Sequence, residues 1–124
     1  MPRKSNKIPF FRWEHTKSKI GPYNHAADSD LSKEFRKIAA MKMLPTPSMD
    51  DGFYMHDSYR CGFESIHSMN RWFSLEEQQK LLDNNFRLAE YRIDKWNIKL
   101  LRYQSVVFKL PKRAYRIIRG KRKW

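Results

Sequence analysis

The stretch from Tyr59 to Glu77 constrains the fold most, because it contains two helix-start signals in close succession. Ser65 has a side chain suited to capping a helix. The apolar residues that follow it recur at helical spacing: Ile66, Met69 and Phe73. Ser74 and Glu77 match a capping box, in which each side chain accepts a hydrogen bond from the other residue's backbone N–H. The stretch therefore predicts two short helices, the second over residues 75–83.

An amphipathic helix is predicted before this stretch, over residues 31–43. Asp28 and Asp30 offer N-cap oxygens to it. Its apolar residues fall on one helical face: Leu31, Phe35, Ile38 and Ala39. The helix has to end near Leu44, because Pro45 disfavours helical backbone in the residue before it. Its apolar face either packs on the domain or binds a partner.

A β-hairpin is predicted after the two helices, over residues 86–108. Asn84 and Asn85 suit the end of the second helix, because Asn tolerates left-handed backbone. Apolar and polar side chains then nearly alternate, as they do in a strand. Residues 103–108 are β-branched and aromatic, which favours a return strand. The competing interpretation is one continuous helix over residues 75–101, and the two asparagines argue against it.

These elements predict a small α+β fold in a single domain. It has an N-terminal amphipathic helix, two short central helices and a C-terminal β-hairpin, and basic arms flank it. We predict a basic and aromatic arm over residues 1–27, the compact domain over residues 28–110 and a basic tail over residues 111–124. The arm is expected to be irregular, because it contains residues that interrupt regular structure: Pro2, Pro9, Gly21 and Pro22.

The domain is expected to form a core without a disulfide. The chain has 124 residues, of which 40% are hydrophobic and 15% aromatic, and this is enough to bury a core. The single cysteine excludes an internal disulfide, and no apolar run approaches the ~18 residues of a membrane span. The basic N-terminus lacks the apolar segment of a secretory signal. The core candidates are Ile66, Met69, Trp72, Phe73, Leu82, Tyr91, Ile93, Val107 and Phe108.

Positive charge is concentrated at the two ends of the chain. The formal net charge is +13, of which residues 1–20 carry +5, residues 111–124 carry +7 and the long middle only +1. Charge placed in this way favours contact between the ends and a polyanion, most simply nucleic acid. The candidate phosphate contacts are Lys112, Arg113, Arg116, Arg119, Lys121, Arg122 and Lys123, assisted by Arg3, Lys4, Lys7 and Arg12. Arg113, Arg116 and Arg119 have near-helical spacing, which predicts that contact with a phosphate backbone orders the tail.

Three aromatic residues, Phe10, Phe11 and Trp13, lie among basic residues of the predicted arm. Aromatic side chains between cations can stack on unpaired bases. They can equally anchor the arm onto the domain, which is the commoner use of such residues. If the partner is a protein, the same three side chains are its predicted anchors.

The lone Cys61 raises the question of metal binding or catalysis. His56 and His67 lie near it in sequence, with Asp57, but the spacing does not match the paired Cys/His units of common zinc modules. A cysteine nucleophile activated by a histidine, with Arg60 lowering the thiol pKa, is the other possibility. The glycines form no phosphate-binding pattern. We therefore predict a protein that is not an enzyme and has no catalytic residues, no metal and no cofactor.

The residues that give the chain its most recognisable pattern are Tyr59-Arg60-Cys61-Gly62-Phe63, Ile66, Trp72-Phe73, the helix from Leu75, Tyr91, Ile93, Gln104, Val106 and Phe108. This pattern resembles small bacteriophage accessory proteins in which a Cys-Gly step leads into a short helix ending in Trp-Phe. The resemblance implies a phage-encoded accessory protein that acts in the host bacterial cytoplasm. It implies no catalytic residues.

Charge placement and the resemblance together lead to a ranked set of functions. The first is a non-enzymatic accessory protein that binds DNA, RNA or a nucleoprotein complex through its basic ends, with no membrane contact. The alternative is an inhibitor or modulator that binds a host or bacterial defence enzyme. The third is a structural component of a ribonucleoprotein or virion.

Overall fold

Two antiparallel sheets and the helices beside them make up the part of the chain that the computed structural model describes, namely residues 7–17, 21, 33–35, 37, 42, 59–102 and 104–120. The elements in chain order are β1 (Lys7–His15), β2 (Arg60–Gly62), α1 (Ile66–Trp72), α2 (Leu75–Asp83), β3 (Phe86–Asp94), a 3₁₀ turn (Lys95–Asn97), β4 (Ile98–Leu100), β5 (Ser105–Val107) and β6 (Arg116–Arg119). The predicted α+β class is confirmed.

The larger sheet has the strand order β1–β3–β6, so β3 is its central strand. β1 runs antiparallel to β3 along its whole length, from Lys7 opposite Asp94 to His15 opposite Phe86. β6 pairs with the other side of β3. Nearly every residue of β3 is buried, because both faces of the sheet are covered at this strand.

One face of the larger sheet packs against the helices, and the opposite face packs against the smaller sheet. Successive side chains of a strand point to opposite faces, so Phe10 and Phe11 enter two different clusters. Phe11 packs in the cluster beside the helices, with Trp13, Phe63, Met69, Trp72, Phe73, Leu81 and Leu88. Phe10 packs in the cluster beside the smaller sheet, with Tyr91, Ile93, Ile98, Val107 and Ile117.

The two predicted helix starts are confirmed. Ser65 Oγ accepts a hydrogen bond from Ser68 N at 3.1 Å at the beginning of α1. Ser74 Oγ accepts from Glu77 N at 3.1 Å and Glu77 Oε1 accepts from Ser74 N at 2.8 Å, which completes the capping box of α2. Asn85 has a φ of 63°, the left-handed conformation predicted for the helix stop. The interpretation as one continuous helix is therefore wrong.

The smaller sheet meets the larger one at Gly62. This sheet has the order β2–β5–β4. A Cβ atom on Gly62 would lie 2.5 Å from Phe11 O and 2.6 Å from the Phe10 ring. Next to it, Phe63 and Phe11 exchange two backbone hydrogen bonds of 2.7 and 2.8 Å. The absence of a side chain at Gly62 is what allows the bridge between the sheets.

The predicted C-terminal hairpin has the right strands but the wrong partners. Its first strand corresponds to β3 and its second to β5, yet β3 pairs with β1 and β6, whereas β5 pairs with β2 and β4. The hairpin that does form joins β4 to β5, with a hydrogen bond of 2.8 Å from Leu101 N to Gln104 O at its turn. Alternation identifies a strand, but it does not identify the strand's neighbour.

The irregular backbone predicted for the N-terminal arm is wrong for residues 7–15, which form β1. Pro9 lies within that strand, opposite Arg92. A proline is tolerated there because β1 is an edge strand of the larger sheet in the described part of the chain, so its missing N–H can face away from the ladder.

The predicted N-terminal helix is only partly described. Residues 33–35 and 37 are helical, with Phe35 fully buried and Lys33 and Lys37 exposed, and Lys42 lies in a turn. The rest of the predicted helix lies outside the described residues. The bounds of that helix stay a prediction.

Most of the predicted core residues are buried: Met69, Trp72, Phe73, Tyr91, Ile93 and Val107. Ile66, Leu82 and Phe108 are half-buried instead. The core is larger than predicted, because the strand formed by residues 7–15 adds three aromatic side chains to it.

Candidate nucleic-acid interface

The candidate phosphate contacts near the C-terminus lie on β6 and on the segment that leads into it. Lys112, Arg113, Arg116 and Arg119 are all exposed. Residues 116–119 form a strand paired with β3, so this part of the predicted tail is ordered within the larger sheet. Other candidates lie outside the described residues: Arg3, Lys4, Lys121, Arg122 and Lys123.

The carboxylate of Glu90 organises the cations next to β6. Arg116 Nε donates to Glu90 Oε1 at 2.7 Å, and Arg92 Nη2 lies 2.7 Å from Glu90 Oε2. Glu90 is only 1% exposed, whereas the Arg116 and Arg92 side chains are 60% and 39% exposed. One buried acid therefore fixes two guanidinium groups at the surface while leaving much of each group in solvent.

An exposed tyrosine lies against one of these guanidinium groups. The Cζ atom of Arg92 is 4.3 Å from the centre of the Tyr115 ring, a cation–π contact. Tyr115 is 61% exposed, and its backbone N donates to Glu90 O at 2.7 Å. Tyr115 is therefore held at the sheet by its backbone hydrogen bond to Glu90 and by the contact of its ring with Arg92.

The last arginine of β6 is connected to the helical layer. Arg119 Nη1 donates to Gln78 Oε1 at 3.3 Å, and the buried Gln78 amide donates in turn to Phe73 O and Asn70 Oδ1, both at 3.0 Å. We use the name C-terminal basic surface for the exposed or partly exposed residues of this region: Arg92, Lys112, Arg113, Tyr115, Arg116 and Arg119. Guanidinium and ammonium groups arranged along an edge strand can contact successive phosphates.

The two candidate phosphate contacts of β1, Lys7 and Arg12, differ in their exposure to solvent. Lys7 is exposed at the beginning of β1. Arg12 is only 3% exposed, and its Nε lies 3.7 Å from Glu14 Oε2. Burial lowers the Arg12 pKa, against the opposing effect of Glu14. Because its guanidinium lies in the interior, we assign Arg12 to the structure of the core and do not retain it as a phosphate contact.

The three aromatic residues of the predicted arm are core side chains. Phe10, Phe11 and Trp13 are 0%, 7% and 2% exposed. Trp13 Nε1 also lies 3.4 Å from Met69 Sδ, which connects β1 to α1. These residues anchor β1 to the rest of the domain, and we assign them to the core instead of to contact with a partner.

Sequence reasoning missed a buried ionic cluster between β1 and β3. Arg87 Nε and Nη2 donate to Glu14 Oε1 at 3.1 and 2.9 Å, and Tyr91 Oη lies 2.9 Å from both carboxylate oxygens. All three residues are fully buried. Burial raises the Tyr91 pKa, as does the nearby Glu14 carboxylate, so the phenol stays a hydrogen-bond donor. The only available signal was the strand character of residues 7–15, and it does not by itself identify Arg87 as the residue opposite Glu14.

The half-buried Cys61 has the opposite pKa shift to the one a nucleophile needs. Burial raises the thiol pKa to about 11, and Arg12 and Arg60 offset this only in part. His67 is exposed on α1, while His56 and Asp57 lie outside the described residues. Among the residues that the structure describes, no three potential metal ligands come together.

An exposed apolar patch, also missed from the sequence, lies on the smaller sheet. Trp96 and Leu100 are 74% and 46% exposed, with the exposed Lys95 and Lys99 beside them in sequence, and we call these four residues the Trp96 patch. The neighbouring Asn97 fixes the turn, because its side chain donates to Lys109 O at 2.6 Å and accepts from Lys109 N at 2.9 Å. The available signal was a tryptophan next to Lys95 in the segment between the two strands of the predicted hairpin.

Within the described ranges, none of the helices has the length and apolar character that crossing a bilayer requires.

Comparison with known proteins gives one match. The model of a family described as "Bacteriophage T4 Y00F protein" matches residues 6–118, which include every strand and helix described above except the last residue of β6, Arg119. No curated protein matches the chain, and no solved structure matches it.

Proposed function

The chain belongs to the bacteriophage T4 Y00F protein family, and from this premise we propose that it is a non-enzymatic phage accessory protein that binds nucleic acid through the C-terminal basic surface. The resemblance to phage accessory proteins noted in the sequence agrees with the family. The binding activity, the absence of catalysis and action in the host cytoplasm are the proposed parts.

The observation that supports the proposal is the placement of the basic residues on an ordered edge. Arg116 and Arg119 belong to a strand that is hydrogen-bonded to the central strand of the sheet. Glu90 and Gln78 hold their side chains. Cations that are already positioned lose less conformational entropy when they contact phosphate, so they bind more strongly than the same charges on an unstructured segment.

The expected mode of binding is contact with the phosphate backbone. Arginine presents several N–H donors that match phosphate oxygens, and such contacts carry no sequence information. Glu90 pairs with Arg92 and Arg116, and Lys112, Arg113 and Arg119 add further exposed cations to the C-terminal basic surface. Binding should therefore depend weakly on sequence and strongly on salt.

A titration of labelled single-stranded DNA, duplex DNA and RNA with the full chain tests this proposal. Fluorescence anisotropy at about 50 mM and 200 mM salt would give the affinities. We expect binding that weakens by about 10-fold or more between these two concentrations, because several phosphate contacts release counterions. Absence of binding to all three, or binding that does not change with salt, would contradict the proposal.

A protein partner is the second candidate function, and the Trp96 patch favours it. Tryptophan is enriched at the energetic centres of protein interfaces, and Trp96 is 74% exposed on a turn that Asn97 holds in place. Under this hypothesis the protein modulates a host or defence enzyme. Capture of one stoichiometric partner that survives nuclease treatment, and that is lost with Trp96→Ala, would support it. Partners that disappear after nuclease treatment would favour nucleic acid.

A further inference from the structure

We propose that Tyr115 is a base-stacking platform and that the C-terminal basic surface binds single-stranded nucleic acid in preference to duplex. This inference rests on the proposed function and narrows it to a class of ligand. It is carried by the position of the Tyr115 ring relative to Arg92 and Glu90.

Two contacts hold Tyr115 in place, and both involve the buried residue Glu90, one directly and one through Arg92. The backbone N of Tyr115 donates to Glu90 O at 2.7 Å. The Arg92 guanidinium lies over the ring at 4.3 Å, and it is itself paired with Glu90 Oε2 at 2.7 Å. Because Glu90 is 1% exposed and lies in the central strand, the ring is fixed relative to the sheet.

The exposure of Tyr115 leaves one side of the ring for a ligand. Arg92 covers one face, yet the residue remains 61% exposed. A flat, apolar ligand can therefore stack on the open face while the guanidinium remains on the other.

Nucleobases that are not paired are the ligands that fit this geometry. In a duplex the bases stack on one another and only their edges reach the grooves. In a single strand each base offers a π-face, and an aromatic side chain beside cations is the usual platform for it. Arg113 and Arg116 lie on either side of Tyr115 in sequence and are exposed, so phosphates flanking the stacked base have cations within reach.

The test compares three ligands of the same length, about 16 nucleotides: a single strand of mixed sequence, its blunt duplex, and a single strand in which abasic sites replace the bases. The abasic strand keeps the phosphates but removes stacking. The protein is the full chain, with Tyr115→Leu as the variant and Tyr115→Phe as the matched control that keeps the ring. Far-ultraviolet circular dichroism and thermal unfolding confirm that each variant is folded.

We expect the single strand to bind more tightly than the duplex and the abasic strand. Tyr115→Leu should weaken binding to the single strand by at least about fivefold, the lower end of the range for one stacked base. Its effect on the duplex and the abasic strand should be smaller than about twofold. Tyr115→Phe should bind the single strand as the unchanged protein does.

Two results would overturn the inference, and they are distinguishable from each other. If Tyr115→Leu weakens all three ligands equally, or none of them, then Tyr115 only supports Arg92 or is uninvolved, and the proposed phosphate binding stands without the platform. If the unchanged protein binds none of the ligands, the proposed function fails and the platform fails with it.

Discussion

Arg87 donates two hydrogen bonds to the carboxylate of Glu14, and both side chains are fully buried between β1 and β3. The pair joins two strands that are far apart in sequence, and Arg12 adds a second buried cation beside the same carboxylate. One buried carboxylate therefore lies against two buried guanidinium groups, so removing its charge should be costly.

Replacing Glu14 with glutamine should destabilise the protein strongly. Glu14→Gln leaves Arg87 and Arg12 buried without the compensating negative charge, so we expect a loss of about 3–5 kcal/mol in the free energy of unfolding. Urea unfolding followed by circular dichroism measures it. Glu64→Gln removes the same charge from an exposed site and should change stability by less than about 0.5 kcal/mol. Equal effects of the two substitutions would show that the buried pair does not matter.

A methyl group at Gly62 should separate the two sheets locally. Its Cβ would lie 2.5 Å from Phe11 O, a backbone atom that cannot move without breaking the bridge between Phe11 and Phe63. We expect Gly62→Ala to cost about 1–3 kcal/mol or more, as overpacking does. Gly21→Ala is the control, because the nearest atom to its Cβ would be Arg12 Nη2 at 3.3 Å, which needs a shift of only a few tenths of an ångström. Urea unfolding that ranks Gly21→Ala as the costlier change would contradict this account of Gly62.

The free energy of unfolding should depend on pH in the acidic range, because the capping box of α2 uses the Glu77 carboxylate. Burial acts to raise the Glu77 pKa, but hydrogen bonds from Lys42 and from Ser74 outweigh it and the pKa is lowered. A carboxylate with a depressed folded-state pKa contributes stability above its unfolded pKa of about 4.3, and this contribution disappears as pH falls through the folded pKa. The stability difference between the unchanged protein and Glu77→Gln should therefore be constant above about pH 5 and shrink below about pH 4. A difference that grows on acidification would contradict the assignment.

The Cys61 thiol should react slowly while the protein is folded. Burial raises its pKa to about 11, so its thiolate fraction near neutral pH is lower than that of an ordinary cysteine, whose pKa is about 8.5, by a factor of about 100 or more. Alkylation by iodoacetamide should be slower in the native protein than in urea by about that factor. Cys61→Ser should retain nucleic-acid binding. Fast alkylation of the native protein would indicate an activated thiol.

Local sequence signals predicted the two central helices, whereas the pairing of strands distant in sequence could not be predicted. Ser65, Ser74 and Asn85 act within one turn of their own position, so their roles can be read from the sequence. The strand that pairs with β3 cannot be read from the sequence in this way, because β1 is distant in sequence and Pro9 suggested irregular structure. Missing β1 also concealed the core positions of Phe10, Phe11 and Trp13 and the role of Glu14.

The candidate interface could be predicted only as a concentration of charge. The exposed cations of residues 112–119 were found because net charge is visible in composition. The arrangement of these cations was not predicted, because it depends on the buried carboxylate of Glu90. The sequence does not distinguish a buried carboxylate from an exposed one. The contact between Arg92 and Tyr115 likewise depends on the register between β3 and the segment before β6.

The most direct test of the central claim compares two triple variants that remove the same charge. Lys112→Gln, Arg113→Gln and Arg119→Gln remove cations of the C-terminal basic surface and leave the pair of Arg116 with Glu90 intact. Lys37→Gln, Arg71→Gln and Lys99→Gln remove exposed cations from other elements. We predict that only the first variant reduces the slope of log affinity against log salt for single-stranded DNA, by about 0.7 for each phosphate that the protein no longer neutralises. Equal slopes for both variants would contradict the claim that this surface binds nucleic acid.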